Sequence, residues 1–417
     1  MIMSGHFWIR KLGRAFGWFS FLSALLYSLG LFISNLNAFP LNVGVSEWWG
    51  SELAIRYCAG FVRRGILGQL AWWFTGLFNS QSYYVIALSA IMASSSVVLG
   101  FILLNLLRKR LSLLPALLIL FSPTAYPVML THAGSLFRKD ALQLCLFYVI
   151  LFLVGKYDQS TSSSKKLFFY SLAALLQISA VLNHEPFALL ILPALFLVRI
   201  LSRQGYRDAL LFSLPGVLTF FIAAVYKGRP EDVSCLQTSL QSVGLLPPGA
   251  VPGSSITELA LTKPSFFTWD LSPNQLAWSL LHGVLAICIA WLCYVLIAQQ
   301  IKQHQLPWKQ AGTFLFIQLL IAMPLFMATI DYGRWFSMLS CSGMLALLSM
   351  PTIEAVKGDN IQQSRSLSIT ALDRVPTALL SLSCILIVPS HCCTYRLSQV
   401  FDFIPYSGLG IWKQILF

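Results

Sequence analysis

The stretch "SYYVIALSAIMASSSVVLGFILLNLL", Ser82 to Leu107, contains no charged side chain and stops at Arg108, Lys109 and Arg110. A bilayer-spanning helix needs about 20 predominantly apolar residues, because the hydrocarbon offers no water to its backbone polar groups. This stretch meets that requirement, and its basic end fits a membrane surface. Working outward from it, the same criterion finds about eleven spans. They run near Ala15 to Asn35, Ser82 to Leu107, Leu111 to Leu130, Ala141 to Gly155, Leu167 to Leu182, Pro186 to Ile200, Ala209 to Tyr226, Ala277 to Ala298, Gly312 to Ile330, Trp335 to Met350 and Val375 to Pro389. Pro115, Pro123, Pro127, Pro193, Pro215 and Pro324 fall inside them and predict kinks or broken helices.

Composition agrees with this reading. The chain is 57% hydrophobic and 10% charged, well above the apolar share of about 45–50% in a soluble domain. The expected fold is therefore all-α: a polytopic integral membrane protein forming one transmembrane domain over 1–417. Its first outer loop is 36–81, a long outer loop is 227–276, and a polar cytoplasmic loop is 351–374. The N-terminal segment has a basic start and an apolar run like a signal peptide, but the run is long and no clear small-residue cleavage site follows, so it is read as an uncleaved first span.

The net charge of +13 is explained by where it sits. With the N-terminus inside, seventeen of the 28 Lys and Arg fall in cytoplasmic segments, against five of the 15 Asp and Glu. That asymmetry is the positive-inside pattern and removes the need for a nucleic-acid partner. It places the C-terminus outside and predicts a bacterial inner-membrane location.

The outer segments hold few charges, in short clusters: "SEWWGSELAIRYCAGFVRRGILG", "THAGSLFRKD", "LNHEPF", "YKGRPEDVSCLQ" and "IDYGRWF". An ionisable residue at the lip of a membrane helix must face water, a partner charge or a substrate. In the first cluster, "WWGSELAIRY" predicts an interfacial helix with tryptophans at headgroup depth. Glu52 and Arg56 are four apart on it and are expected to pair. "FVRRGILGQLAWWFTGLF" predicts a second interfacial helix, in which Gly65 and Gly68 admit a backbone or ligand. Adjacent Arg63 and Arg64 cannot share a helical face and are expected to address two different groups. Guanidinium forks suit a diphosphate because they pair with two oxygens at once.

The other clusters read similarly. Asp140 suits the N-terminus of the fourth span, whereas Arg138 and Lys139 gain nothing there and fit a phosphate better. His184 and Glu185 sit in a tight outer turn before Pro186. They form no HExxH zinc motif, and the functional reading is a base or orienting pair for a sugar hydroxyl, with the Glu185 pKa raised at a low-dielectric lip. Asp331 and Arg334, three apart, are expected to bridge one helical turn; as a functional pair, Arg334 would hold phosphate and Asp331 orient it. The long outer loop, with "LLPPGAVPGSS" at its centre, reads as a lid or a flexible connector.

No Walker loop and no GxGxxG occurs, which argues against a cytoplasmic nucleotide engine. Of the nine cysteines, Cys145, Cys288, Cys293, Cys341 and Cys384 fall in expected spans as small apolar fillers. Cys58, Cys235, Cys392 and Cys393 fall outside, where a disulfide is permitted but cannot be paired from sequence. No CxxC is present, and ligand spacing gives no support to a divalent metal.

A polytopic chain with an amphipathic, carboxylate-bearing first outer loop, "SEWWGSELAIRY", and further charges on the same face resembles the GT-C class of glycosyltransferases and polysaccharide polymerases. Glu47 and Glu52 are five apart, where that class places two acids adjacent or one residue apart. The resemblance implies a polyprenyl-phosphate-linked sugar as donor, a glycan or lipid acceptor, contact with membrane lipids, and no required cofactor. It implies sugar transfer to a hydroxyl, with one base and several cations. Glu52 is the expected base, with Glu185, His184 and Asp331 as further candidates. Arg56, Arg63, Arg64, Arg138, Lys139 and Arg334 are the candidate phosphate ligands. A transporter or flippase for an anionic solute would place charges near the midplane instead. A non-enzymatic envelope scaffold would leave the outer clusters scattered.

Overall fold

The computed structural model describes residues 48–75, 82–108, 116, 119–120, 138–201, 205–225, 228–257, 259, 283–284, 287–288, 290–295, 297, 308–328 and 332–349. Every regular element among them is helical. In chain order these are α1 (Trp48–Ala54), α2 (Ile66–Thr75), α3 (Ser82–Arg108), α4 (Asp140–Gln159), α5 (Ser163–Asn183), α6 (Phe187–Leu190), α7 (Leu192–Leu201), α8 (Tyr206–Val225), α9 (Pro230–Ser242), α10 (Ser254–Thr257), α11 (Trp308–Ala328) and α12 (Tyr332–Ser349). Four helices among the described residues are long and apolar enough to cross a membrane: Val85–Leu107 within α3, α4, α5 and α8. The shorter apolar helices are Phe187–Leu201 and Ala311–Met327. The expected spans at Ala15 to Asn35 and Val375 to Pro389 lie outside the described residues, as do most of Leu111 to Leu130 and much of Ala277 to Ala298.

The spans are packed by small and branched side chains repeating at helical spacing. On α3 the buried stripe is Ala87, Leu88, Ile91, Ser95, Val98, Phe101 and Ile102, while Val85, Val97, Leu103, Leu104 and Leu107 stay exposed. Apolar residues on the outward face are what lipid requires. Ser94, Ser96 and Asn105 of α3 return their side chains to the carbonyls of Ala90, Met92 and Phe101 at 2.7, 3.1 and 3.0 Å. Bonding to the preceding turn makes polar residues tolerable in hydrocarbon. α3 packs on α4, α4 on α5, α5 on α8, α8 on α7, and α12 on α4 and α7.

Two prolines accompany local irregularities, and at Pro215 a neighbouring helix replaces the lost hydrogen bond. Pro215 inside α8 has no N–H for the Leu211 carbonyl. Tyr170 Oη of α5 donates to that carbonyl at 3.3 Å, and Gln177 Nε2 donates to the next one, Phe212 O, at 2.8 Å. The apolar run expected as one span from Pro186 to Ile200 is interrupted at Ile191, two residues before Pro193, giving α6 and α7.

At one end of the bundle Arg199 of α7, 2% exposed, joins the C-terminus of α4 and the N-terminus of α8. It pairs with Asp158 at 2.5 Å and with Asp208. Both acids lie in segments that the charge asymmetry assigns to the cytoplasm. The candidate residues Lys139 and Asp140 lie at the other end of α4.

Candidate functional site

Segments that are far apart in sequence meet over the N-terminal ends of α4 and α12 and the C-terminal end of α5. In the segment 48–75, α1 ends at Ala54 and a non-helical stretch continues to Gly65. α2 then folds back on α1. Gly68 allows this, because a Cβ there would lie 2.2 Å from the Ile55 carbonyl oxygen. Of the two approaches expected at Gly68, the backbone is the one realised. Gln69 accepts the Tyr57 backbone N–H at 3.1 Å, which holds the turn between the two helices.

Arg64 is the only non-glycine with positive φ among the described residues, at +67°. The left-handed region is costly for a side chain with a Cβ, and such strain persists only where surrounding contacts impose it. Here the contacts are explicit. The Arg64 carbonyl accepts from Lys139 Nζ at 2.7 Å, and its Nε donates to Glu185 Oε2 at 2.8 Å. Arg63 Nη1 lies 3.4 Å from the other oxygen of Glu185. The two arginines thus share one carboxylate, where the expectation was of different groups, and Arg64 also reaches Glu52 at 3.9 Å.

Glu52 is at the centre, 2% exposed. Its Oε1 lies 3.9 Å from Arg64 Nη1 and 3.8 Å from His184 Nε2, and this oxygen accepts no hydrogen bond. Burial would raise its pKa, but His184, Lys139, Arg64 and Arg334 together pull it down to about 2. The expected Glu52–Arg56 pair does not form. α1 stops two residues before Arg56, so the four-residue helical relation is lost. Arg56 instead donates to Ser239 of α9 at 2.5 Å and stacks over the Trp72 ring at 3.9 Å.

His184 lies between the carboxylates. Its Nε2 is 2.9 Å from Arg334 Nη2 and its Nδ1 is 3.4 Å from Glu185 Oε2. Burial and the nearby Arg64 hold its pKa below the ordinary 6.5. Glu185 corrects another expectation. Burial would raise its pKa, but Arg64, the His184 hydrogen bond and Arg63 hold it well below the ordinary value.

Arg334, in the first turn of α12, pairs with Asp140 at 3.0 Å. Its expected partner Asp331 lies outside the described residues. Lys139 stands at the N-cap of α4, and Asp140 is the first residue of that helix. Asp140 therefore both suits the helix terminus electrostatically and holds Arg334. Lys139 is fully buried, and burial lowers its pKa from 10.5 to about 8 despite the opposing pull of Glu52. Arg138 is buried at the bend before α4.

Four cations, Arg63, Arg64, Lys139 and Arg334, thus surround three carboxylates, Glu52, Asp140 and Glu185. The excess is positive, and each of the three carboxylates keeps one buried oxygen, Glu52 Oε1, Asp140 Oδ2 and Glu185 Oε1, that accepts no hydrogen bond. Three participants were not among the sequence candidates. Asp140 was read as a cap alone. Gln143 of α4 donates to the His184 carbonyl at 2.7 Å and fixes the turn after α5. Asn183 is buried, with neither side-chain amide atom hydrogen-bonded. Gln143 lies one helical turn beyond Asp140, so it was legible as a face-sharing residue; nothing in the sequence marks Asn183.

The segment 228–257 is tied to the segment 48–75 beside this cluster. A disulfide joins Cys58 to Cys235 of α9, Arg56 reaches Ser239, and the Ser51 and Ser255 hydroxyls are hydrogen-bonded. Among the described residues no group of three or more His, Cys, Asp or Glu is arranged to hold a metal ion. No protein-family model, curated protein or solved structure matches this chain.

Proposed function

We propose that this protein is a membrane glycosyltransferase that moves a sugar from a polyprenyl-phosphate-linked donor to a hydroxyl acceptor at the outer face of a bacterial inner membrane. One observation carries the reading: residues from four other segments converge on buried Glu52 with an excess of positive charge. A buried excess of cations favours an anionic ligand, and guanidiniums are the side chains that pair best with phosphate oxygens. Arg64, Lys139 and Arg334 would hold the phosphate and stabilise the charge that develops as it leaves the anomeric carbon. Arg63, the most exposed of the four, would meet the anion first.

Glu52 fits the role of the carboxylate facing the acceptor. The same cations that keep it ionised also weaken it as a base, since a carboxyl at about 2 has little affinity for a proton. A phosphate bound to those cations offsets their charge and restores basicity to the site. Basicity then appears only when donor is bound, which protects the donor from water.

The test is to incubate purified protein with radiolabelled polyprenyl-linked sugars and follow a labelled product. Wild type is expected to transfer, and Glu52→Gln to lose at least about a hundredfold in rate, the scale for loss of a group that takes part in acid–base catalysis. Full activity in that variant would remove Glu52 from the mechanism. Absence of product across a broad donor panel would favour an ion-pair network that merely fastens the outer loops.

A further inference from the structure

The contact between Arg334 and His184 constrains the proton positions on the imidazole. A guanidinium has donors only, so at 2.9 Å from Arg334 Nη2 the His184 Nε2 must be the acceptor. The ring proton then sits on Nδ1, which faces Glu185 Oε2 at 3.4 Å. His184 is neutral in this arrangement, and the lone pair that could take a proton is covered. The Arg334 guanidinium is held by Asp140 on α4, 3.0 Å away. The groups that face His184 are Glu52 from α1, Arg64 from the first loop, Glu185 from its own turn and Arg334 from α12. Lys139 and Asp140 stand behind them on α4.

We propose that Arg334 is an anion-responsive cover over His184: a phosphate group bound between Arg64 and Arg334 draws the Arg334 guanidinium off Nε2, and the uncovered Nε2, beside Glu52, accepts the proton of the sugar acceptor's hydroxyl. This rests on reading the cluster as the site of a phosphate-linked sugar donor. In the transfer step the acceptor O–H bond breaks and its proton goes to Nε2. The acceptor oxygen bonds the anomeric carbon, and the anomeric carbon–phosphate oxygen bond breaks with its electron pair leaving on the phosphate. The imidazolium so formed has a carboxylate at each nitrogen, Glu52 Oε1 at 3.8 Å from Nε2 and Glu185 Oε2 at 3.4 Å from Nδ1.

The electrostatics run in the same direction. Burial and Arg64 disfavour the charged ring, with Arg334 adding to them, while Glu52 and Glu185 favour it. An anion that neutralises the two arginines leaves the carboxylates to dominate among the charges. Glu52 Oε1, 3.8 Å from Nε2, then lies beside the proton once it is on the ring and stabilises the imidazolium.

The experiment uses the full chain in detergent micelles, labelled with 15N at its histidine rings, with inorganic pyrophosphate as the probe and His184→Gln to assign the signal. Without pyrophosphate, the nitrogen shifts at neutral pH are expected to report a neutral ring protonated at Nδ1. Saturating pyrophosphate is expected to raise the His184 proton affinity at least about tenfold, one pH unit. In Arg334→Gln the midpoint is expected to start higher and to move less. A ring protonated at Nε2, failure of pyrophosphate to bind, or an unchanged midpoint with pyrophosphate bound overturns the proposal. The tautomer and midpoint are read in wild type, so they decide the matter even if Arg334→Gln does not fold. Loss of sugar transfer with the midpoint shift intact would instead overturn the glycosyltransferase reading alone.

Discussion

Glu52→Gln also tests the electrostatic account of the cluster, independently of any activity. The Glu52 carboxyl is held at about 2 against an ordinary 4.5. At about 1.4 kcal/mol per pH unit this corresponds to about 3 kcal/mol of stabilisation at neutral pH. The folded-state value is depressed, so that stabilisation is complete above about pH 5 and is lost as pH falls toward about 2. Unfolding by SDS in mixed micelles is expected to show the variant about 3 kcal/mol less stable at pH 7, with the gap closing below about pH 4. The loss comes from charged neighbours left without their carboxylate; with the His184 ring neutral near pH 7, the chief of them is buried Lys139, which burial already holds at about 8. Lys139→Met in the Glu52→Gln background is therefore expected to recover part of the loss, with a coupling of about 2 kcal/mol in the double-mutant cycle. A single variant within about 0.5 kcal/mol of wild type at pH 7, or strictly additive variants, would refute the placement of Glu52 among these cations.

Gly68→Ala is expected to abolish the yield of monodisperse protein in size-exclusion chromatography, because its Cβ would meet the Ile55 carbonyl oxygen at 2.2 Å. Gly100→Ala, with nothing within 4 Å, is the control and is expected to behave as wild type. Cys58→Ser removes the tie to Cys235 across 177 residues, with an expected cost of about 2–5 kcal/mol by SDS unfolding and matched by reduction of the wild type. Arg199→Ala leaves Asp158 and Asp208 without their shared partner. Its expected cost is about 3 kcal/mol at neutral pH, and Arg199→Lys rescues little, since an ammonium lacks the fork that spans both acids.

Much of the architecture was legible in the residues alone. Uncharged runs such as Ser82 to Leu107 identify membrane helices because hydrocarbon forbids unsatisfied backbone and rewards apolar side chains, a constraint that acts segment by segment. The distribution of Lys and Arg, and the gathering of Glu52, Arg63, Arg64, Lys139, His184, Glu185 and Arg334 at helix lips, follow from the same local rule. Partnership is different in kind, because it depends on which lips the packing brings together. Arg64 finds Glu185 across 121 positions, and Arg334 finds His184 across 150. Local spacing misassigned Glu52 to Arg56 because nothing in the pattern shows that α1 stops at Ala54. It also misjudged the direction of the Glu185 pKa, because burial is visible in sequence as apolar context whereas the two arginines that outweigh it arrive through a left-handed turn. Helical periodicity specifies faces within one element; only the packed bundle specifies which faces meet, and with them the charge that each buried group experiences.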